Sequence, residues 1–164
     1  MSAPVEDVIE AALPICDPHH HLWDRQGDRY LLHELLADTG MSDAQGRCHN
    51  VRSTVFVECA SMYRADGPEA LRPVGETEFV NGVAAMSASG GYGATRACAG
   101  IVAYADLRLG AAVRGVLEAH IDAARGRFRG IRHAADLAAA ADAGAHAWLV
   151  ASALHDGRLP PLRR

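Results

Sequence analysis

At 164 residues, 49% of them hydrophobic, the chain falls in the one-domain range and carries enough apolar material for a packed core. A net charge of -4 with a pI near 6.1 supplies no field for nucleic acid or an anionic membrane, so neither is expected as a partner. No apolar run approaches the ~20 residues of a membrane helix, and no basic-then-apolar leader opens the chain, so a cytoplasmic location is the expectation.

All 16 basic residues are arginine, which reads as a bias of GC-rich coding rather than a binding patch. Cys16, Cys48, Cys59 and Cys98 are widely spaced and form no Cys-x-x-Cys pair, so they are expected to be reduced and mostly buried.

Residues 1–12 read as a loose lead-in turn or helix. A first strand is expected from about Leu13 to Pro18, running into three histidines, His19, His20 and His21. From Asp28 the spacing of Tyr30, Leu31, Leu32, Leu35 and Leu36 predicts a helix ending near Gly40. A polar loop, Met41 to Asn50, follows. Val51 to Cys59 is rich in β-branched residues, as in a strand buried on both faces of a parallel sheet, and includes Glu58 near its end. Gly75 to Ala88 reads as a helix, with Phe79, Val80, Val83 and Ala84 on one face.

Gly90-Gly91-Tyr92-Gly93 is a break and not a phosphate loop, because no Gly-Lys-Ser/Thr follows. Cys98 to Leu107 is the third expected strand, with Asp106 near its end. Gly110 to Ala124 is the clearest helix, closed by Gly126; His120 lies on its apolar stripe and reads as a satisfied core histidine. Arg127 to His133 is the fourth strand. Strands alternating with helices indicate an α/β fold of about four β/α units with a parallel sheet.

In an extended segment successive side chains alternate between faces, so His19 and His21 point one way and His20 the other. Two imidazoles converging from one rigid strand suit a divalent metal. The plain alternative is a surface histidine cluster, or core histidines around a turn at Pro18; three adjacent histidines are costly in a core unless each nitrogen finds a partner.

Asp17-Pro18-His19-His20-His21-Leu22-Trp23-Asp24, an Asp-x-His-x-His closing an apolar strand, resembles the first metal-binding motif of the amidohydrolase superfamily. With Leu-Trp-Asp after it, the segment is similar to the amidohydrolase-related branch, TIM-barrel metal-dependent hydrolases that include lactonases. The ending Arg129-Gly130-Ile131-Arg132-His133 resembles the same branch. The likeness covers about residues 13–135 and corresponds to the first half of a (β/α)8 barrel, a fold of roughly 250 residues with its site at the C-terminal ends of the strands.

The resemblance implies His19 and His21 as ligands of a divalent ion, zinc or manganese. In members of this branch that work without metal, the histidines serve as hydrogen-bond donors. It further implies Arg132 and His133 as contacts of a small-molecule substrate, a lactone or related ester or amide, and Glu58 as a further substrate contact or a support behind one. Taken singly, Glu58, Asp106 and Arg132 read equally well as solvated strand ends or caps; their shared location favours a site. A later Asp-His segment and a catalytic aspartate of the relatives have no counterpart, and His146 and His155 match neither.

Residues 136–164 shift to alanine, arginine and proline, as after a premature end or frameshift in a GC-rich gene, or in a short paralogue. The expectation is therefore a truncated hydrolase with low or no activity alone. The alternative is a non-catalytic fragment that forms a homo-oligomer, or binds a partner, through the open edges of its sheet.

Overall fold

The computed structural model describes residues 7–42 and 45–133. The expected tail after residue 135, with His146 and His155, and the first half of the expected lead-in, residues 1–6, therefore lie outside the described residues. Residues 7–12 form a bend and turn rather than a helix.

The sheet strands are β1 (Pro14–His20), β4 (Asn50–Val57), β5 (Arg96–Ala103) and β6 (Phe128–Ile131). Between β1 and β4 lie β2 (Trp23–Arg25), β3 (Asp28–Tyr30) and α1 (Leu32–Thr39); α2 (Val74–Ala88) joins β4 to β5, and α3 (Val113–Ala124) joins β5 to β6. The sheet runs in the order β1-β4-β5-β6, with every neighbouring pair parallel. The fold is thus α/β around a four-stranded parallel sheet, which among the described residues is open and does not close on itself.

Each strand adds beside the one before it in the chain, without reversal. Because parallel crossovers are right-handed, this order places the connecting helices on one face. The core agrees: Leu32 and Leu35 of α1, Val80, Val83 and Ala84 of α2, and Ala124 of α3 pack with Phe56, Ala97, Cys98 and Ile101 of the sheet. Thr54 and Phe56 face these helices and are fully buried. The intervening Val51, Ser53 and Val55 are only half-buried, so the other face of the sheet is partly open.

The helix expected from Asp28 begins four residues later. Asp28–Tyr30 instead pairs antiparallel with Trp23–Arg25 around a turn in which Gly27 takes φ 78, a left-handed conformation that glycine adopts without cost. Trp23 stacks on Tyr30 at 5.1 Å, which anchors the hairpin and leaves Leu32 and Leu35 to supply the buried side of α1. All four cysteines are free, but only Cys98 is buried; Cys16 is exposed and Cys48 and Cys59 are half-buried. Cys16 lies on β1 at the end of the sheet order, and Cys48 and Cys59 lie just outside the two ends of β4, where fewer neighbours cover them. No helix among the described residues is long and apolar enough to cross a membrane.

Candidate functional site

β1 carries its histidines at its C-terminal end, beside the end of β4. The ladder to β4 shifts register between Asp17 and His20, where Pro18 can donate no hydrogen bond. His20 turns toward the helices: it is buried, its Nε2 lies 2.8 Å from Thr54 Oγ1, and its ring edge meets Phe56 at 5.9 Å. Burial pushes its pKa down to about 4, which keeps it neutral in the core.

His19 and His21 meet on the other side. Their Nε2 atoms are 3.1 Å apart, with the rings edge-to-face at 4.8 Å between centroids. His21 Nδ1 donates to the Val57 carbonyl at 2.7 Å. In the neutral ring that bond leaves His21 Nε2 as the acceptor, so in the 3.1 Å contact His19 Nε2–H donates to it. The His19 backbone N–H donates to Asp17 Oδ1 at 3.0 Å, so the turn into the pair is fixed locally. Partial burial, then the neighbouring His21 and Arg132, hold His19 below the usual histidine range.

The ends of β4, β5 and β6 supply the rest of the rim. Glu58 N–H continues the ladder to the Val102 carbonyl at 2.8 Å, and Arg132 N–H to the Ala103 carbonyl at 2.8 Å. Their side chains meet across the intervening strand: Arg132 Nε donates to Glu58 Oε1 at 2.8 Å, and Arg132 Nη2 donates to the Glu58 carbonyl.

His133 follows with a side chain only 4% exposed, its Nε2 3.6 Å from Asp106 Oδ1. Its Nδ1 accepts from Leu107 N–H at 3.1 Å, and its ring stands edge-on to Tyr104 at 5.2 Å. Asp106 is gripped by Arg108 through two hydrogen bonds of 2.9 and 2.8 Å, and that guanidinium holds its carboxyl down at about 2.

The structure thus pairs His19 with His21 and Glu58 with Arg132, and places His133 beneath the loop that follows β5. Among the described residues, no three or more histidine, cysteine, aspartate or glutamate side chains gather as a metal cluster. His120, on α3, is buried with both ring nitrogens spent, Nδ1 2.8 Å from Thr77 Oγ1 and Nε2 2.9 Å from the Tyr104 carbonyl.

Sequence reasoning passed over Glu76, which is buried at 1% exposure and underlies the loop after Glu58. The available signal was Gly75-Glu76 at the helix start, after Pro73; an acidic residue in a first helical turn ordinarily reads as solvated. Comparison with protein-family models, curated proteins and solved structures finds no match to the chain.

Proposed function

We propose that the chain is a metal-dependent hydrolase of the amidohydrolase-related kind, built as the first four units of a (β/α)8 barrel and acting on a lactone or a related ester or amide. The observation that carries this reading is the approach of His19 Nε2 to His21 Nε2 at 3.1 Å. Two nitrogens each ~2.0–2.1 Å from one zinc ion lie roughly 2.9–3.4 Å apart, for angles between octahedral and tetrahedral. The observed separation suits a shared cation. The bond from His21 Nδ1 to the Val57 carbonyl is the kind of outer contact that fixes the tautomer of a metal-binding histidine. The singly wound strand order β1-β4-β5-β6 supports the barrel reading.

A divalent ion held there, zinc or manganese, would polarise a carbonyl or acidify a bound water. Arg132 is the group suited to a substrate carboxylate, exchanging Glu58 for the incoming anion. His133 supports that substrate side from below, since its side chain is 4% exposed. With two imidazoles and no third ligand gathered among the described residues, metal affinity is weak. Loss of a placed general base removes a factor of about 10² to 10⁴ in rate, so lactone turnover by the chain alone is expected at background.

Cobalt(II) absorption tests the reading without requiring turnover. Bands that appear with the chain, shift on addition of the hydroxy acid formed by opening a sugar lactone, and lose that shift in Arg132→Met are expected. Bands indifferent to the hydroxy acid would contradict it.

A sheet that among the described residues is open, with β1 and β6 at its two ends, favours a second reading, a non-catalytic chain that self-associates or binds a partner through an edge. Sedimentation velocity over a concentration series decides this one: concentration-dependent oligomers support it, and a well-folded monomer throughout contradicts it.

A further inference from the structure

Among the described residues Glu76 is the one buried carboxylate, at 1% exposure, and neither the histidine pair nor the Glu58–Arg132 contact uses it directly. It lies in the first turn of α2. Its Oε1 accepts from Cys59 N–H at 3.1 Å, from Ser61 N–H at 2.7 Å and from the Cys59 thiol at 3.7 Å. The loop held in this way starts immediately after Glu58. Ala60 (φ 59) and Met62 (φ 53) within it take left-handed conformations, which persist only where the surroundings enforce them.

The enforcement comes from α2. A Cβ at Gly75 would lie 2.7 Å from both Arg64 N and Met62 O, so only glycine lets the loop seat this closely. Arg64 N–H also donates to the Arg72 carbonyl at 2.9 Å.

The groups around Glu76 offer it no counter-charge through a hydrogen bond. From the loop it meets Cys59 and Ser61, feels the like charge of Glu58, and acts on Tyr63. Arg25 of β2 reaches only the Cys59 carbonyl, at 2.9 Å. Arg64 is paired with Glu78, and His120 of α3 is bonded to Thr77 and Tyr104.

We propose that Glu76 is a positioning residue for the rim: its carboxylate fixes the loop that leaves Glu58, and its ionisation sets how tightly Glu58 and Arg132 are held together. All three bonds fall on Oε1, so a proton can sit on Oε2 without breaking them; it converts a charge-assisted acceptor into a weaker neutral one. Burial pushes Glu76 up to about 7, so the change falls near neutrality. With Glu76 charged, Glu58 gains a like-charged neighbour and leans harder on Arg132. With Glu76 protonated, Arg132 is exchanged more readily for another anion. This holds whether or not the rim belongs to a hydrolase.

A ¹H–¹⁵N NMR titration of the full chain from about pH 5 to about pH 9, spanning the range where a carboxyl raised by burial ionises, provides the test. The Cys59 and Ser61 amides and Arg132 Nε–H are expected to shift together with one midpoint near 7. In Glu76→Gln, whose amide oxygen can keep the three acceptor bonds, the shared transition is lost. An Arg132 Nε–H that does not move in the wild type, or a transition that survives in Glu76→Gln, would overturn the proposal. Should that variant fail to fold, the wild-type Glu76 carboxyl carbon is followed instead. A midpoint shared with Arg132 Nε–H upholds the proposal, and a different one overturns it.

Discussion

The two ends of the rim use polar side chains in opposite ways. At the β1 end, two ring nitrogens approach to 3.1 Å, and the partner nitrogen of one ring is tied to backbone, so what remains converges on a common point. At the β4–β6 end the groups satisfy one another: Glu58 holds Arg132, Asp106 holds Arg108, and His133 takes the Leu107 N–H. The first arrangement can turn both ring nitrogens on a third party once the single proton shared between them moves to His19 Nδ1. The second accepts one only by giving up an existing partner. Location at strand ends is common to both, so what separates them is how many bonds must be given up to admit a third party: one shared proton at the histidine pair, a charged pair at Glu58 and Arg132.

The largest expected effect probes what lies under the self-satisfied end. Glu76 is raised from 4.5 to about 7 by burial, so between those values the folded state binds a proton that the unfolded state has released. Its contribution to stability is full below about 4.5 and is lost as pH rises through 7. Relative to Glu76→Gln, the wild type should lose about 3 kcal/mol over that window, read from urea unfolding at each pH. A flat difference would mean that the carboxyl is not held as described.

Next in size is the contrast within the histidine run. His20→Ala removes a buried ring and leaves Thr54 short of a partner, at a cost of about 2–3 kcal/mol. His19→Ala, on an exposed side chain, should stay within about 0.5 kcal/mol. Chemical denaturation of the two variants side by side checks this; equal costs would erase the distinction between the two faces of β1.

Arg132→Met strips the partner from Glu58, whose side chain is 13% exposed. Residual solvation limits the loss to about 1–2 kcal/mol. The smallest effect sharpens the role of His133. His133→Asn can offer an acceptor near the Nδ1 position to Leu107 N–H and should cost less than about 1 kcal/mol, whereas His133→Ala forfeits that bond and costs more. Thermal unfolding of the pair, with the alanine variant no less stable than the asparagine one, would show that His133 does not brace the loop.

Much of the framework was legible because β-branched apolar runs advertise strands, although β4 at its centre is fully buried on one face only and not, as expected, on both. Val51 to Cys59 and Cys98 to Leu107 are apolar runs whose bulk became β4 and β5, which start one and two residues earlier and stop two and four residues sooner. The alternation rule also separated His20 from its neighbours. It failed to show the β2–β3 hairpin, since Tyr30-Leu31-Leu32 fits both a helical stripe and the end of a strand; the deciding contact, Trp23 on Tyr30, is tertiary.

At the rim, sequence placed Glu58, Arg132 and His133 at strand ends but could not tell that Arg132 is spent on Glu58, nor that His133 is covered. Glu76 was invisible for a related reason. Its first-turn position is ordinary, and its burial comes from a loop that doubles back onto Gly75.

The most direct measurement is zinc binding by isothermal titration calorimetry to the wild type, His19→Ala, His20→Ala and His21→Ala, each shown folded by circular dichroism. Weak binding to the wild type and to His20→Ala, with binding abolished in both His19→Ala and His21→Ala, is the expected result. Zinc binding that survives loss of His19 or His21, or that disappears equally in folded His20→Ala, would contradict the assignment of that pair as the metal-holding end of the rim.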